Sequence, residues 1–305
     1  MPFHISAGPL WLASRFPRLA KPLLWFWGQY YGRSKLKPHW LFIEMCDMAN
    51  HRAPFWAHLT DGQEIKLAVN DNVGQQILCS GCTELESVSV LPKLVKPGTV
   101  FFDLGAHVGQ FTLLASRLVG PKGSVHCFEP DPQTFRWLCE NVTRNNLKNV
   151  SANRIGVSDS SGDRELFLAK PENIGTGSFA PPSSPLGTAL RVPTISVAEY
   201  CTVRGIARIH FMKIDVEGAE VDVLSGSSSF LRGESKPAIH IEFNLARQKA
   251  FGRSLKELAD ILGGYGYTLL RLTKEGPREF WLNSEEPRVF NVLALSSGDA
   301  LALLS

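Results

Sequence analysis

From Val100 onward the chain alternates short apolar runs with helical stretches, and this alternation limits the fold more than any other feature. Residues 100–102, 124–128, 150–157, 209–214 and 238–243 read as strands. Residues 110–119, 132–145, 217–231 and 254–263 read as helices, and 164–168 as a hairpin arm. Residues 267–272 and 289–295 are expected to close the sheet. Such an order builds a mostly parallel sheet covered on both faces, with ligands at the carboxyl ends of the strands. A long segment rich in Gly, Pro and Ser, 170–190, interrupts it, and long loops in compact domains often act as lids.

Ahead of that lie two different pieces. Residues 1–50 form a basic, aromatic extension: up to Ile43 there is no acid, but six Lys or Arg and ten of the chain's 30 aromatics. Pro9, Pro17 and Pro22 divide it into short segments. The run Leu23-Leu24-Trp25-Phe26-Trp27, flanked by cations, suits either peripheral contact with a membrane surface or packing on the rest of the chain. Residues 51–98 read as a lead-in: a hairpin turning at Asp61-Gly62, then helices near 73–79 and 83–95. Residues 99–305 form the main domain. A composition of 44% hydrophobic and 20% charged residues excludes a disordered chain, a collagen and a small disulfide scaffold. No uncharged apolar stretch is long enough to span a bilayer, and the first residues do not read as a secretory signal. The six scattered cysteines, including Cys79-Ser-Gly-Cys82, lack a second pair or suitably spaced His for zinc. They read as thiols in a reducing compartment, so a cytoplasmic protein is expected.

The chemistry concentrates at strand ends. Asp103-Leu-Gly105-Ala106-His107-Val-Gly109-Gln-Phe-Thr112 occupies a strand-to-helix junction, where glycines let a ligand approach a helix N-terminus. It does not fit a dinucleotide fingerprint, since Asp103 and Val108 stand where glycines are needed. A carboxylate there would repel a pyrophosphate and suits a ligand carrying an ammonium or a sulfonium. Glu129, 26 residues beyond Asp103, ends the next strand and can accept hydrogen bonds from both hydroxyls of a ribose. Ser158 and Asp159 end the third strand, where side chains would face a base; a plain turn is the alternative. Lys213-Ile-Asp215-Val-Glu217-Gly-Ala-Glu220 closes a central strand and opens a helix, and Glu242 ends the next. Glu217 and Glu220 in a first helical turn also suit the helix dipole.

Together these motifs resemble the FkbM-type methyltransferases over roughly residues 71–295. The resemblance rests on Asp103-Leu-Gly105-Ala106, Phe128-Glu129-Pro130, Gly156-Val157-Ser158-Asp159 and, most specifically, the run from Lys213 to Glu220. It implies an α/β Rossmann-like class I methyltransferase fold, a seven-stranded, mostly parallel sheet with an antiparallel last strand. It also implies S-adenosylmethionine as cofactor and a hydroxyl on a sugar, glycan or secondary metabolite as acceptor. Glu84, Asp103, Gly105, Ala106, His107, Gly109, Thr112, Glu129, Ser158 and Asp159 are the expected cofactor contacts. His107 stands where the family usually has Asn, and Gln110 where an aromatic is common. Asp215, Glu217 and Glu242 are the candidate general bases, with Asp215 favoured. No metal is expected, because no His-rich ligand set accompanies the carboxylates. Nucleic acid is not an expected partner: no Asp/Asn-Pro-Pro-aromatic run follows the fourth strand, and beyond Ile43 the chain is net negative, with 26 basic residues against 29 acidic ones. A methyltransferase acting on nucleic acid or protein, and a non-catalytic membrane-associated module, are the alternatives.

Overall fold

The computed structural model describes residues 54–68, 72–168, 177–181, 188–233, 235–280, 282 and 288–304. The basic aromatic extension and most of the 170–190 loop lie outside them. The described residues fall into two compact units, the first running to Thr83 and the second beginning at Glu84.

In the first unit, β1 (Phe55–His58) and β2 (Glu64–Leu67) pair antiparallel across the expected Asp61-Gly62 turn. Gly62 takes a positive φ there, and Asp61 accepts a hydrogen bond from the Gln63 amide at 3.1 Å. Helix α1 (Asn72–Ser80) follows, and it passes so close to Ala68 that a Cβ on Gly74 would meet the Ala68 carbonyl.

The second unit holds the main sheet. Its strands are β3 (Val100–Leu104), β4 (Ser124–Phe128), β5 (Val150–Asn153), β9 (Phe211–Ile214), β10 (Ala238–Asn244), β11 (Thr268–Thr273), β12 (Gly276–Glu279) and β13 (Val289–Leu295). Their order is β12-β11-β13-β10-β9-β3-β4-β5. The five strands from β10 to β5 run parallel, and β13 runs antiparallel between β10 and β11. This is the Rossmann-like arrangement with one antiparallel strand, enlarged by β12. The sheet therefore has eight strands and not seven, because Thr273 to Gly276 turns back as a hairpin and adds an edge. Strands β3 and β9 lie side by side although a long stretch of chain separates them, so the crevice at their carboxyl ends is where such sheets bind ligands.

Helices cover both faces: α2 (Leu85–Leu94), α3 (Gln110–Val119), α4 (Pro132–Arg144), α5 (Val197–Arg204), α6 (Glu220–Gly226), α7 (Leu245–Ala250), α8 (Leu255–Gly264) and α9 (Ser297–Leu304). Phe102, Phe128, Met212, Ile239 and Ile241 face one core with Tyr200 and Leu258. Phe101, Val125, Phe211 and Leu293 face the other with Phe111, Leu91 and Val119. Alternate residues of one strand thus serve opposite cores, which explains the continuous apolar runs. Phe101 and Phe211 stack across neighbouring strands with centroids 5.0 Å apart.

Three readings of the sequence need correction. The single strand expected over 150–157 is two: β5 pairs with β4, while β6 (Gly156–Ser158) joins β7 (Gly162–Phe167) and β8 (Ala189–Ser196) in a separate sheet ordered β6-β8-β7. The helix expected over 217–231 contracts to α6, because Glu217 and Gly218 take positive φ and Ser227 Oγ bonds the Val223 carbonyl at its far end. Finally, β8, α5, α7 and α9 were not anticipated. Helix α5 had a legible start in Ser196-Val-Ala-Glu199, since Ser196 Oγ accepts from the Glu199 amide at 3.2 Å.

Candidate active site

The turn after β3 is built by backbone that only certain residues accept. Gly105 has φ +80° and Gly109 φ +97°, and His107 between them sits at φ +52°. A Cβ on Gly105 would lie 1.8 Å from the carbonyl oxygen of Asp215. The β3 turn therefore rests directly on the chain leaving β9. Gly105 and Ala106 both donate their amides to the Phe128 carbonyl, at 3.0 and 2.9 Å, which ties the same turn to the end of β4.

Asp103 is fully buried. Its Oδ2 accepts a hydrogen bond from Thr112 Oγ1 at 2.6 Å, while Oδ1 has no partner. Burial pushes its pKa up, against the pull of Lys213. Thr112 is itself fully buried, so its hydroxyl serves Asp103. An orphaned carboxylate oxygen in this position is an acceptor waiting for a donor. Glu129, at the end of β4, is clamped by backbone: Oε2 accepts from the His107 amide and Oε1 from the Asp131 amide, both at 2.9 Å. Burial still lifts its pKa to about 8.

The second half of the site is the segment after β9. Lys213 is buried, its Nζ 2.9 Å from Asp215 Oδ2 and 4.7 Å from the centre of the Phe111 ring. Burial would raise the Asp215 pKa, but the charge and hydrogen bond of Lys213 hold it below the ordinary carboxylate value. Glu84, at φ +48°, accepts from Ser87 Oγ at 3.2 Å and from Asn291 Nδ2 at 2.7 Å. Burial raises its pKa, with Lys213 opposing.

Beyond Asp215 the environments diverge. Glu217, at φ +56°, pairs with Arg247 Nε at 2.6 Å, and burial with the Asp215 charge lifts its pKa to about 7. Glu220 also rises to about 7 through burial, but its oxygens are consumed by the Val216 and Gly218 amides and by Gln248. Glu242, bonded to Asn244 Nδ2 at 3.1 Å, is driven up to about 9 by burial and the charges of Asp215, Glu217 and Glu220. Helix α7 backs this whole turn: Arg247 holds Glu217, Gln248 holds Glu220, and Phe251 just beyond covers Gly218.

Glu84, His107 and Glu217, all expected site residues, are three of the four non-glycine residues at positive φ among the described residues. Backbone strain of this kind collects at functional sites. Ser158 and Asp159 are held by neighbours of their own. Ser158 donates to Asp159, Asp159 pairs with Arg164 at 2.7 Å, and Arg164 also holds Asp222 on α6. The close passage of α6 over β6, where a Cβ on Gly226 would lie 2.3 Å from the Ser158 carbonyl, fixes this corner. Sequence reasoning gave no role to Asn291, Ser87, Arg247 or Gln248. Only register could have found Asn291, which pairs with Glu242 across β10 and β13.

The raised carboxyls carry a consequence for stability. Glu129, Glu217, Glu220 and Glu242 keep protons in the folded chain well above 4.5, where unfolded Glu loses them. The folded state binds more protons, so stability falls as pH rises from near 4.5 through about 9. Thermal unfolding is expected at a clearly lower temperature at about pH 9 than at about pH 6. Equal midpoints would mean that these groups are not buried as described.

Residues 103–269, more than half of the chain and the stretch from Asp103 through Glu242, match the methyltransferase FkbM domain. The chain belongs to that family. It is 27% identical over 204 residues to the 31-O-demethyl-FK506 methyltransferase FkbM of Streptomyces tacrolimicus, covering 58% of this chain and 75% of that one. It is 30% identical over 149 residues to the hexuronic acid methyltransferase AglP of Haloferax volcanii, covering 49% and 58%. With the 2-O-methyltransferase NoeI of Sinorhizobium fredii it shares 29% over 155 residues, covering 47% and 63%. The chain thus spans less than two thirds of AglP and NoeI. In this FkbM-family chain Glu84 and Asn291 lie outside the matched residues, while the other carboxylates of the crevice lie within them.

Proposed function

We propose that the chain transfers a methyl group from S-adenosylmethionine to a hydroxyl of a sugar, glycan or secondary metabolite. The observation that carries this reading is Asp103: a buried carboxylate with an unpartnered oxygen at the end of β3, beside a turn bent by Gly105 and Gly109. Its orphaned Oδ1 suits the ammonium of the cofactor, and Glu129 at the neighbouring strand end suits the ribose. Ala106, His107 and Gly109 line the same turn. When bound there, the cofactor supplies a methyl group already activated by its sulfonium charge.

The protein has to align the acceptor oxygen, exclude water and accept a proton. The carboxylates after β9 and β10 divide that work by their pKa values. Glu217, near 7, is matched to neutral pH and is assigned as the general base, with Arg247 steadying its Oε2. Asp215 is charged but a weak base because of Lys213, so it orients the acceptor through hydrogen bonding. Glu242, near 9, keeps its proton at neutral pH and can donate to a second acceptor oxygen. This moves the base from Asp215, favoured on strand position alone, to Glu217. FkbM is a 31-O-demethyl-FK506 methyltransferase and NoeI a 2-O-methyltransferase, which supports oxygen as the acceptor atom. Incubation with methyl-labelled S-adenosylmethionine and a panel of sugars, uronic acids and hydroxylated metabolites should yield an O-methyl product; label entering only nucleic acid or protein would reject the reading.

A peripheral membrane contact is proposed for residues up to Ile43 on their charge alone: six cations and no acid, worth about 1 kcal/mol per well-placed cation at an anionic surface. No helix among the described residues is long and apolar enough to cross a membrane. Deleting the segment should weaken co-sedimentation with anionic vesicles, and equal sedimentation would assign the aromatics to packing.

A further inference from the structure

We propose that Lys213 is a positioning residue, its buried ammonium acting as the common counter-charge to the carboxyl groups of Glu84, Asp103 and Asp215 that gather beside it in the crevice. The proposal deepens the methyl-transfer reading and rests on it for its purpose, though not for its test.

The geometry begins with register. Lys213 pairs with Asp103 across β3 and β9 and with His240 across β9 and β10, so the three side chains form one row on a single face of the sheet. That face is the one α3 covers, and Phe111 of α3 supplies the ring against which Nζ rests. Asp215, two residues on, comes within 2.9 Å of Nζ. Glu84 approaches from the residue before α2 and lies 3.9 Å from His240 Nε2. Four segments distant in sequence thus surround one cation.

The other groups facing this row do not compete for the role. His240 is driven down to about 3 by burial and by Lys213, and its Nε2 lies 2.7 Å from Ser87 Oγ, so it is neutral. Lys213 outweighs His107 in its effect on Asp215. Glu217, Glu220 and Glu242 interact with Asp215, and each is raised well above the ordinary carboxyl value, Glu242 to about 9, so that it keeps its proton at neutral pH. Lys213 itself feels burial, which disfavours its charge, but Asp215, Glu84 and Asp103 overcome it and raise its pKa above the ordinary lysine value. It is therefore a fixed charge and not a proton acceptor. One ammonium against three carboxylates leaves the row short of positive charge, which a ligand bearing an ammonium and a sulfonium would supply.

The test uses the full chain without cofactor. Side-chain nitrogen NMR should show the Lys213 ammonium protonated up to about pH 10, the ordinary lysine range or beyond. Loss of its proton below about pH 9 would overturn the proposal. In Lys213→Met, carboxyl carbon NMR should show the titration midpoints of Asp103 and Glu84 rising by about one pH unit or more, because the charge that pulls both down has been removed. Unchanged midpoints would also overturn it, since a merely structural lysine would leave them in place. If Lys213→Met does not fold, the titration of the unaltered lysine decides alone. Failure of the chain to bind S-adenosylmethionine would instead reject the cofactor reading and leave these titrations unaffected.

Discussion

Glu217→Gln is expected to slow methyl transfer by about 10²–10⁴ while leaving the chain folded, the range that loss of a general base produces. Gln keeps the size of the side chain and an oxygen for Arg247 Nε, which lies 2.6 Å from Oε2. What it removes is the ability to take a proton near neutral pH, where Glu217 titrates at about 7. The rate of the unaltered chain should therefore rise with pH through about 7, and this limb should vanish in the variant. Asp215→Asn should cost less in rate, because its ion pair with Lys213 already makes it a poor base. Near-normal turnover in Glu217→Gln would return the role to Asp215 or Glu242.

Gly105→Ala is expected to cost more than about 4 kcal/mol of stability, a loss reserved for severe backbone or packing conflicts. The added Cβ would stand 1.8 Å from the Asp215 carbonyl oxygen, and neither backbone can yield without moving a central strand end. Gly98 provides the control. Its φ of +81° almost equals the +80° of Gly105, but nothing lies within 4 Å of a Cβ there. Gly98→Ala should cost only the left-handed penalty of about 1–2 kcal/mol. Equal losses of unfolding temperature in the two variants would mean that conformation alone, and not the contact between the β3 and β9 turns, demands glycine at 105.

The strands that read as uninterrupted apolar runs, β3, β4, β9 and β10, were legible because both faces of the sheet are buried and the signal is strong. Strand β8 was not, since Ala189 to Ser196 alternates exposed and buried residues and carries Pro193. Nor could the break between β5 and β6 be read, because it depends on which partner each half finds: β4 for one and β8 for the other. At the site, Asp103, Glu129 and Asp215 stood out as carboxylates at strand ends. The separation of the carboxyl pKa values did not, because it follows from burial and from neighbours such as Lys213 and Arg247, whose proximity only the folded chain creates. Gly105 was legible as necessary but for the wrong neighbour: the sequence suggested room for a ligand, whereas the Asp215 backbone occupies that space. The partners of Ser158 and Asp159, Arg164 and α6, were not legible either, because only the fold brings them together.

The central claim is that the crevice beside Asp103 and Glu129 binds S-adenosylmethionine, and titration calorimetry on the folded chain tests it most directly. The unaltered protein should bind one equivalent saturably. Asp103→Asn should weaken binding about tenfold or more, since a hydrogen bond to the charged ammonium contributes about 1.5–3 kcal/mol and 1.4 kcal/mol is a factor of ten, and Glu129→Gln, which faces neutral ribose hydroxyls, should weaken it by less. Absence of binding by the unaltered chain, or affinities in both variants equal to its own, would contradict the account.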